Sequence, residues 1–197
     1  MQYAFMNTRG WNEAKWRALI LEGQEYDVIG VAETGWHEKL QWQEGNWVGL
    51  GRGRKVGEKK GGGVGIIIKE KPGRLVAEEL MEKKTESKLG YNKGDIITAR
   101  IVDEKEVWWV TVVYMGVEGA ENREENRKLY EALAETHRKV GKEKWVLMGD
   151  FNSHIGLNNA PVNTNGHMLL DFTEWTRLTI KNWELEDPVT WRSRVSN

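Results

Sequence analysis

The stretch Trp145-Val-Leu-Met-Gly-Asp-Phe-Asn-Ser-His-Ile-Gly156 begins as a buried strand and changes character at its first glycine. Trp145 to Met148 are apolar, and Asp150, Asn152, Ser153 and His154 then crowd into the next few positions. A turn alone explains the glycine and the aspartate, because Asp in a turn hydrogen-bonds its own backbone. A reaction centre explains the whole run, since sites are built on loops that a rigid sheet delivers. The rest of the chain decides between the two.

The same pattern recurs elsewhere. The apolar run YAFMN ends in Asn7, DVIGVAE in Glu33, VWWVTVVY in Tyr114, and WVLMGDFN in Asp150 and Asn152. If these ends share one rim, carboxylates, carboxamides and a phenol converge there. Such hard oxygen donors suit Mg²⁺ or Mn²⁺. Magnesium takes only one or two protein carboxylates and completes its shell with water and substrate phosphate. A one-metal phosphodiester hydrolase fits that set better than an all-protein cage does. In such an enzyme a spare carboxylate aligns or deprotonates the attacking water.

Periodicity supplies the scaffold. Asn12 caps an expected helix, NEAKWRALILEGQ, with Trp16, Leu19 and Ile20 on one face. YDVIGVAE and GGGVGIIIKE read as buried strands, the latter led in by a glycine turn, and DIITARIV with EVWWVTVVY reads as a hairpin. Residues 121–140 form an expected amphipathic helix with Leu129, Leu133 and Val140 inward. KWVLMGD is the next strand, NGHMLLDFTEWTRL the next helix, and TIKNW and VTWRS are expected late strands. The fold expected is α/β, with two packed mixed sheets flanked by helices.

The chain has 197 residues, which fits a single domain over 1–197. A net charge of -1 gives no global basic field, although a local basic groove can sit on a neutral protein. With no cysteine, disulfides, thiolate metal sites and cysteine nucleophiles are excluded. No apolar run approaches the ~18 residues of a membrane span, so no membrane partner is expected. Most of the 11 tryptophans lie near apolar strands and are assigned to packing.

Asn7, AETGW at 32–36, KGGGVGI at 60–66, VVY at 112–114, GDFNSHIG at 149–156 and NGHMLLDF at 165–172 together resemble the exonuclease–endonuclease–phosphatase superfamily. Within it the set is most similar to the apurinic-endonuclease-like domain of non-LTR retrotransposons. The resemblance implies a four-layered α/β sandwich with its site at one edge. It implies Glu33 as metal ligand with Asn7 beside it, Tyr114 on the scissile phosphate, Asp150 on the attacking water and Asn152 on the pentacovalent phosphorus. Thr190 stands where relatives carry a groove threonine, and Asn182 near where some orient a histidine. The family's terminal Asp-His element has no counterpart before Asn197, so the domain is expected to lack its last strand element, and impaired activity is expected with it.

The implied activity is a Mg²⁺-dependent (or Mn²⁺-dependent) nick in target DNA. The partner would be the reverse transcriptase domain of the same polyprotein, and the setting nuclear after cytoplasmic synthesis. Two alternatives stay open: hydrolysis of a small phosphate ester on the same scaffold, and a non-catalytic DNA- or protein-binding remnant. The basic run at 51–60 reads either as a solvated loop or as phosphate contacts through Arg52, Arg54 and Lys55, with Arg9 reaching the same backbone. His154 is assigned to the loop and not to catalysis.

Overall fold

The computed structural model describes residues 1–54, 62–78, 95–156 and 160–184. Lys55, Thr190 and the expected strand at 189–193 lie outside these residues. Contacts gather into two compact units, Met1–Phe151 and Asn152–Asn197.

The first unit holds β1 (Tyr3–Asn7), α1 (Glu13–Glu22), β2 (Val28–Ala32), β3 (Leu40–Glu44), β4 (Trp47–Arg52), β5 (Val64–Lys69), β6 (Arg74–Glu78), β7 (Ile96–Asp103), β8 (Glu106–Tyr114), α2 (Ala120–Val140) and β9 (Lys144–Asp150). One sheet has the order β1-β2-β5-β4-β3 and the other β6-β7-β8-β9. Each contains one parallel pair, β1 with β2 and β8 with β9, and its other neighbours are antiparallel. Parallel partners end on the same side, so each sheet delivers two strand C-termini together. This is the feature that makes a shared rim.

The sheets pack face to face through Val28, Leu50, Val64, Ile66 and Ile68 on one side and Ile97, Ala99, Ile101, Val110 and Val112 on the other. Gly30 sets the approach: a Cβ there would lie 2.8 Å from a methyl of Val112. β2 and β5 are buried on both faces, which is why VIGVA and VGIII run apolar without alternation.

Helix α1 covers the outer face of the first sheet. Asn12 caps it by accepting from the Lys15 amide, and Trp16 and Leu19 pack on Ile29, Val31, Trp47 and Ile67. Helix α2 buries Leu129, Leu133 and Val140, and its His137 ring lies 5.6 Å from that of Trp145 on β9. Helix, sheet, sheet and helix make the four layers.

The tryptophans have a seat in β4. A Cβ on Gly49 would meet Trp42 at 2.1 Å, and one on Gly51 would meet Trp36 at 2.4 Å. These glycines make room for a closed ring of Trp11, Trp16, Trp42 and Trp36, whose successive centroids lie 5.4 to 5.9 Å apart.

The second unit contains α3 (Thr164–Thr176), with Leu169 and Phe172 buried and Asn163 as its cap. The segment TIKNW, expected as a strand, instead enters a 3-10 turn at Lys181–Glu184. Among the described residues no strand pairs with it. Among the described residues no helix is long and apolar enough to cross a membrane.

Candidate active site

The ends of β1, β2, β8 and β9 converge as the two parallel pairs require. Asn7 pairs in register with Ala32, and Tyr114 with Asp150. The Asn7 amide bridges the sheets: its Nδ2 donates to Glu33 Oε1 at 2.9 Å and to Asp150 Oδ2 at 2.8 Å. Its orientation is fixed from the other end, because Oδ1 accepts from the Arg9 backbone N–H at 3.1 Å. The Tyr114 hydroxyl donates to Glu33. Four residues spread over more than a hundred positions therefore form one hydrogen-bonded network.

Burial raises the Tyr114 pKa above the ordinary tyrosine value, and the Glu33 and Asp150 charges add to the effect. Tyr114 thus stays a protonated donor across the physiological range.

The loops that present this network are strained and closely tied. Glu33 and Arg9 hold φ of 51° and 46°, in the left-handed region where side chains cost energy. The buried Thr8 hydroxyl bonds the carbonyls of Ala32 and Glu33 at 2.9 and 3.0 Å, and the Gly10 amide reaches the Glu33 carbonyl at 2.6 Å. Lys15 Nζ from α1 binds the carbonyls of Thr8 and Gly10 at 2.5 and 2.6 Å. Behind the loop, Thr34 and Gly35 donate to the carbonyls of Gly63 and Gly62. A Cβ on Gly63 would stand 2.3 Å from Thr34 Oγ1, and its φ is 82°. Gly62 and Gly63 lead into β5 and back the Glu33 loop, in keeping with the strand-entry turn read from the sequence.

Asn152 and Asn182 belong to the second unit. Asn152 has φ of 46°, and its carbonyl accepts from the amides of both Asn163 and Asn165 at 3.2 Å. Asn163 also accepts from the His154 N–H at 3.0 Å, while the His154 side chain is exposed. Asn182 is half-buried in the 3-10 turn.

Among the basic candidates, Arg9 is exposed beside Asn7 and Arg52 is half-buried at the end of β4. Arg54 requires a correction. It is only 8% exposed, and its guanidinium forks onto Asp95, with Nε to Oδ1 at 3.0 Å and Nη2 to Oδ2 at 2.7 Å. A buried, carboxylate-paired arginine is not a surface phosphate contact. Sequence reading also missed Asn126, a buried α2 residue whose amide holds both the N–H and the carbonyl of Gly116, at 2.8 and 2.9 Å, two residues past Tyr114. Its only sequence signal was a polar residue on the inward face of an amphipathic helix.

Among the described residues no three His, Cys, Asp or Glu side chains are grouped to hold a metal by themselves. Two carboxylates bridged by one amide are nonetheless what a magnesium or manganese ion asks of a protein, since water and substrate supply its other ligands. The carboxylates of Glu33 and Asp150 are hard oxygen donors and fit such an ion, while Asn7 presents its N–H to them.

The sequence matches the endonuclease/exonuclease/phosphatase family profile over residues 7–193. Among solved structures, the endonuclease domain of TRAS1, a telomere-specific non-LTR retrotransposon, superposes with TM-score 0.57 at 12% identity, covering 87% of this chain and 68% of that one. An endonuclease/exonuclease/phosphatase family protein from Leptotrichia buccalis gives 0.54 at 16% identity, covering 87% and 72%. A mannosyl-6-phosphatase from Bacteroides thetaiotaomicron gives 0.51 at 13%, covering 87% and 70%. At these identities the likeness is one of fold. No curated protein matches the sequence significantly.

Proposed function

The chain belongs to the endonuclease/exonuclease/phosphatase family, and from that premise we propose that it is a Mg²⁺- or Mn²⁺-dependent endonuclease hydrolysing a DNA phosphodiester. The observation that carries the reading is the Asn7 amide joined to both Glu33 and Asp150, with Tyr114 on Glu33. Glu33, with Asn7 beside it, would hold the divalent cation. When bound, that ion supplies neutralisation of the charge growing on the phosphoryl oxygens.

The protein groups do the rest. Asp150 takes a proton from a water as its oxygen attacks phosphorus, and the Asn7 N–H keeps that carboxylate aimed. With substrate bound, the single Tyr114 O–H turns from Glu33 to a non-bridging phosphate oxygen, and its raised pKa keeps it protonated for that role at neutral pH. Asn152 is the proposed amide donor to the pentacovalent phosphorus group. The bond to the 3′ oxygen breaks, and that oxygen takes a proton from solvent and leaves as a hydroxyl. In a non-LTR retrotransposon such a 3′-hydroxyl in nicked target DNA is what the reverse transcriptase domain of the same polyprotein extends, which would place the activity on chromosomal DNA in the nucleus. Arg9, Arg52, Lys55 and Thr190 are the proposed nucleic-acid contacts, and Asn182 is the proposed orienting residue. A single domain over 1–197 is proposed, and the family match runs over residues 7–193.

Nicking of supercoiled plasmid with and without Mg²⁺ tests the proposal, with Glu33→Ala and Asp150→Ala alongside. Metal-dependent nicking lost in both variants is expected; metal-independent cleavage indifferent to both would refute it. A sugar phosphate hydrolysed far faster than DNA would move the reading to a small-ester phosphatase. DNA binding without cleavage of either would move it to a non-catalytic module.

A further inference from the structure

We infer that the buried Arg54–Asp95 pair is a positioning device, which sets the Tyr114 ring and the Glu33 loop for the chemistry of the rim; this rests on the functional reading above. Arg54 leaves the end of β4 in one sheet, and Asp95 immediately precedes β7 in the other. Their two-point contact fixes the guanidinium plane as well as its distance. Asp95 is 1% exposed.

Each partner then reaches one part of the site. Arg54 Cζ stands 5.8 Å from the centroid of the Tyr114 ring, close enough for a cation to bias the ring's position. Asp95 accepts the Gly63 N–H, and the Gly63 carbonyl accepts from Thr34, the residue after Glu33. One ion pair is therefore linked to the phenol directly and to the Glu33 loop through the backbone of Gly63 and Thr34. Gly62 is shaped around it: a Cβ there would lie 2.2 Å from Arg54 Nε and 2.6 Å from Asp95 Oδ1. Glu125 of α2 faces the same pair across a small cavity that Tyr114 also lines.

A net stabilising role is a poor explanation for such a pair, because desolvation of two buried charges offsets most of their attraction. What the pair does supply is orientation. The effect of the pair on the rim passes through Tyr114 and the Glu33 loop.

The test compares the parent chain with Asp95→Asn, Arg54→Lys and the apolar double variant Arg54→Met/Asp95→Leu. Three readouts are taken: thermal denaturation, the NMR signal of ¹³C-labelled Tyr114 (assigned with Tyr114→Phe), and kcat and KM on labelled DNA. Both single variants should shift and broaden the Tyr114 signal. They should lower kcat on the order of 10- to 100-fold, the scale of a small misplacement, while KM moves far less. The double variant should regain the melting temperature without regaining the Tyr114 signal or kcat. A double variant with parental melting, Tyr114 signal and kcat together would overturn the inference. If the parent cleaves no DNA, the function reading fails alone, and the Tyr114 signal still decides whether the pair positions the ring.

Discussion

Arg74→Met should cost the fold about 3 kcal/mol, and the structure shows why. The Arg74 side chain is 2% exposed and sits at the opposite end of β2 from the rim. It ties Asp103 of the second sheet, at 2.7 and 3.2 Å, to Asp27 and the Lys69 carbonyl of the first, at 3.4 and 2.8 Å. Removing one partner of a buried pair strands the other charge, and the usual cost is roughly 3–5 kcal/mol. Asp103 keeps some solvent contact, which argues for the lower end of that range. For a domain this size the melting temperature should fall by about 6–12 °C.

The pH dependence gives a second handle on the same cluster. Burial pushes Asp27 upward, but the Lys71 ammonium, the Gln2 N–H and Arg74 outweigh it and hold the carboxyl down to about 2. Its folded pKa therefore lies below the unfolded value of about 3.9, so the contribution is present above pH 4 and lost as pH falls through 2. That contribution is on the order of 2 kcal/mol, and Arg74→Met should flatten part of the slope. Urea denaturation between pH 7 and pH 2 reads both effects. A loss below about 1 kcal/mol at pH 7, with an unchanged acid slope, would refute the argument.

Three further outcomes follow from the rim and its supports. Tyr114→Phe should lower kcat on the order of 100-fold with little change in melting temperature, and the parent should keep its activity through the pH range where an ordinary tyrosine ionises. Gly51→Val should destabilise by about 1–3 kcal/mol in urea denaturation, because its side chain meets the Trp36 ring on the sheet's outer face; a neutral result would show that the tryptophan ring repacks freely. Burial pushes Asp95 up to about 6, against the pull of Arg54, so its contribution to stability is full below pH 4 and lost as pH rises through 6. The kcat profile should show an acid limb near pH 6 as the charged pair is undone, and that limb should vanish in Asp95→Asn.

The rim was legible because each of its residues ends an apolar run, and a strand's end can be read from sequence. The Asn12 cap and the β7–β8 hairpin were legible for the same local reason: their partners are near in the chain. The β3–β4 hairpin was not, since Gly49 and Gly51 stand where apolar residues would have marked a strand, and their purpose lies in the tryptophans above them. Arg54 was misread for a related reason. A run of charges carries no record of a carboxylate 41 positions away, and only the meeting of two sheets supplies it. The TIKNW segment imitated a strand because five residues of alternation do not require a partner.

Binding of Mn²⁺ followed by electron paramagnetic resonance tests the central claim most directly, because it asks whether Glu33, with Asn7 beside it and Asp150 on the same amide, holds a cation. The parent should bind one ion per chain, Glu33→Gln should abolish that site, and Asp150→Asn should weaken it. Undiminished binding in Glu33→Gln would contradict the account.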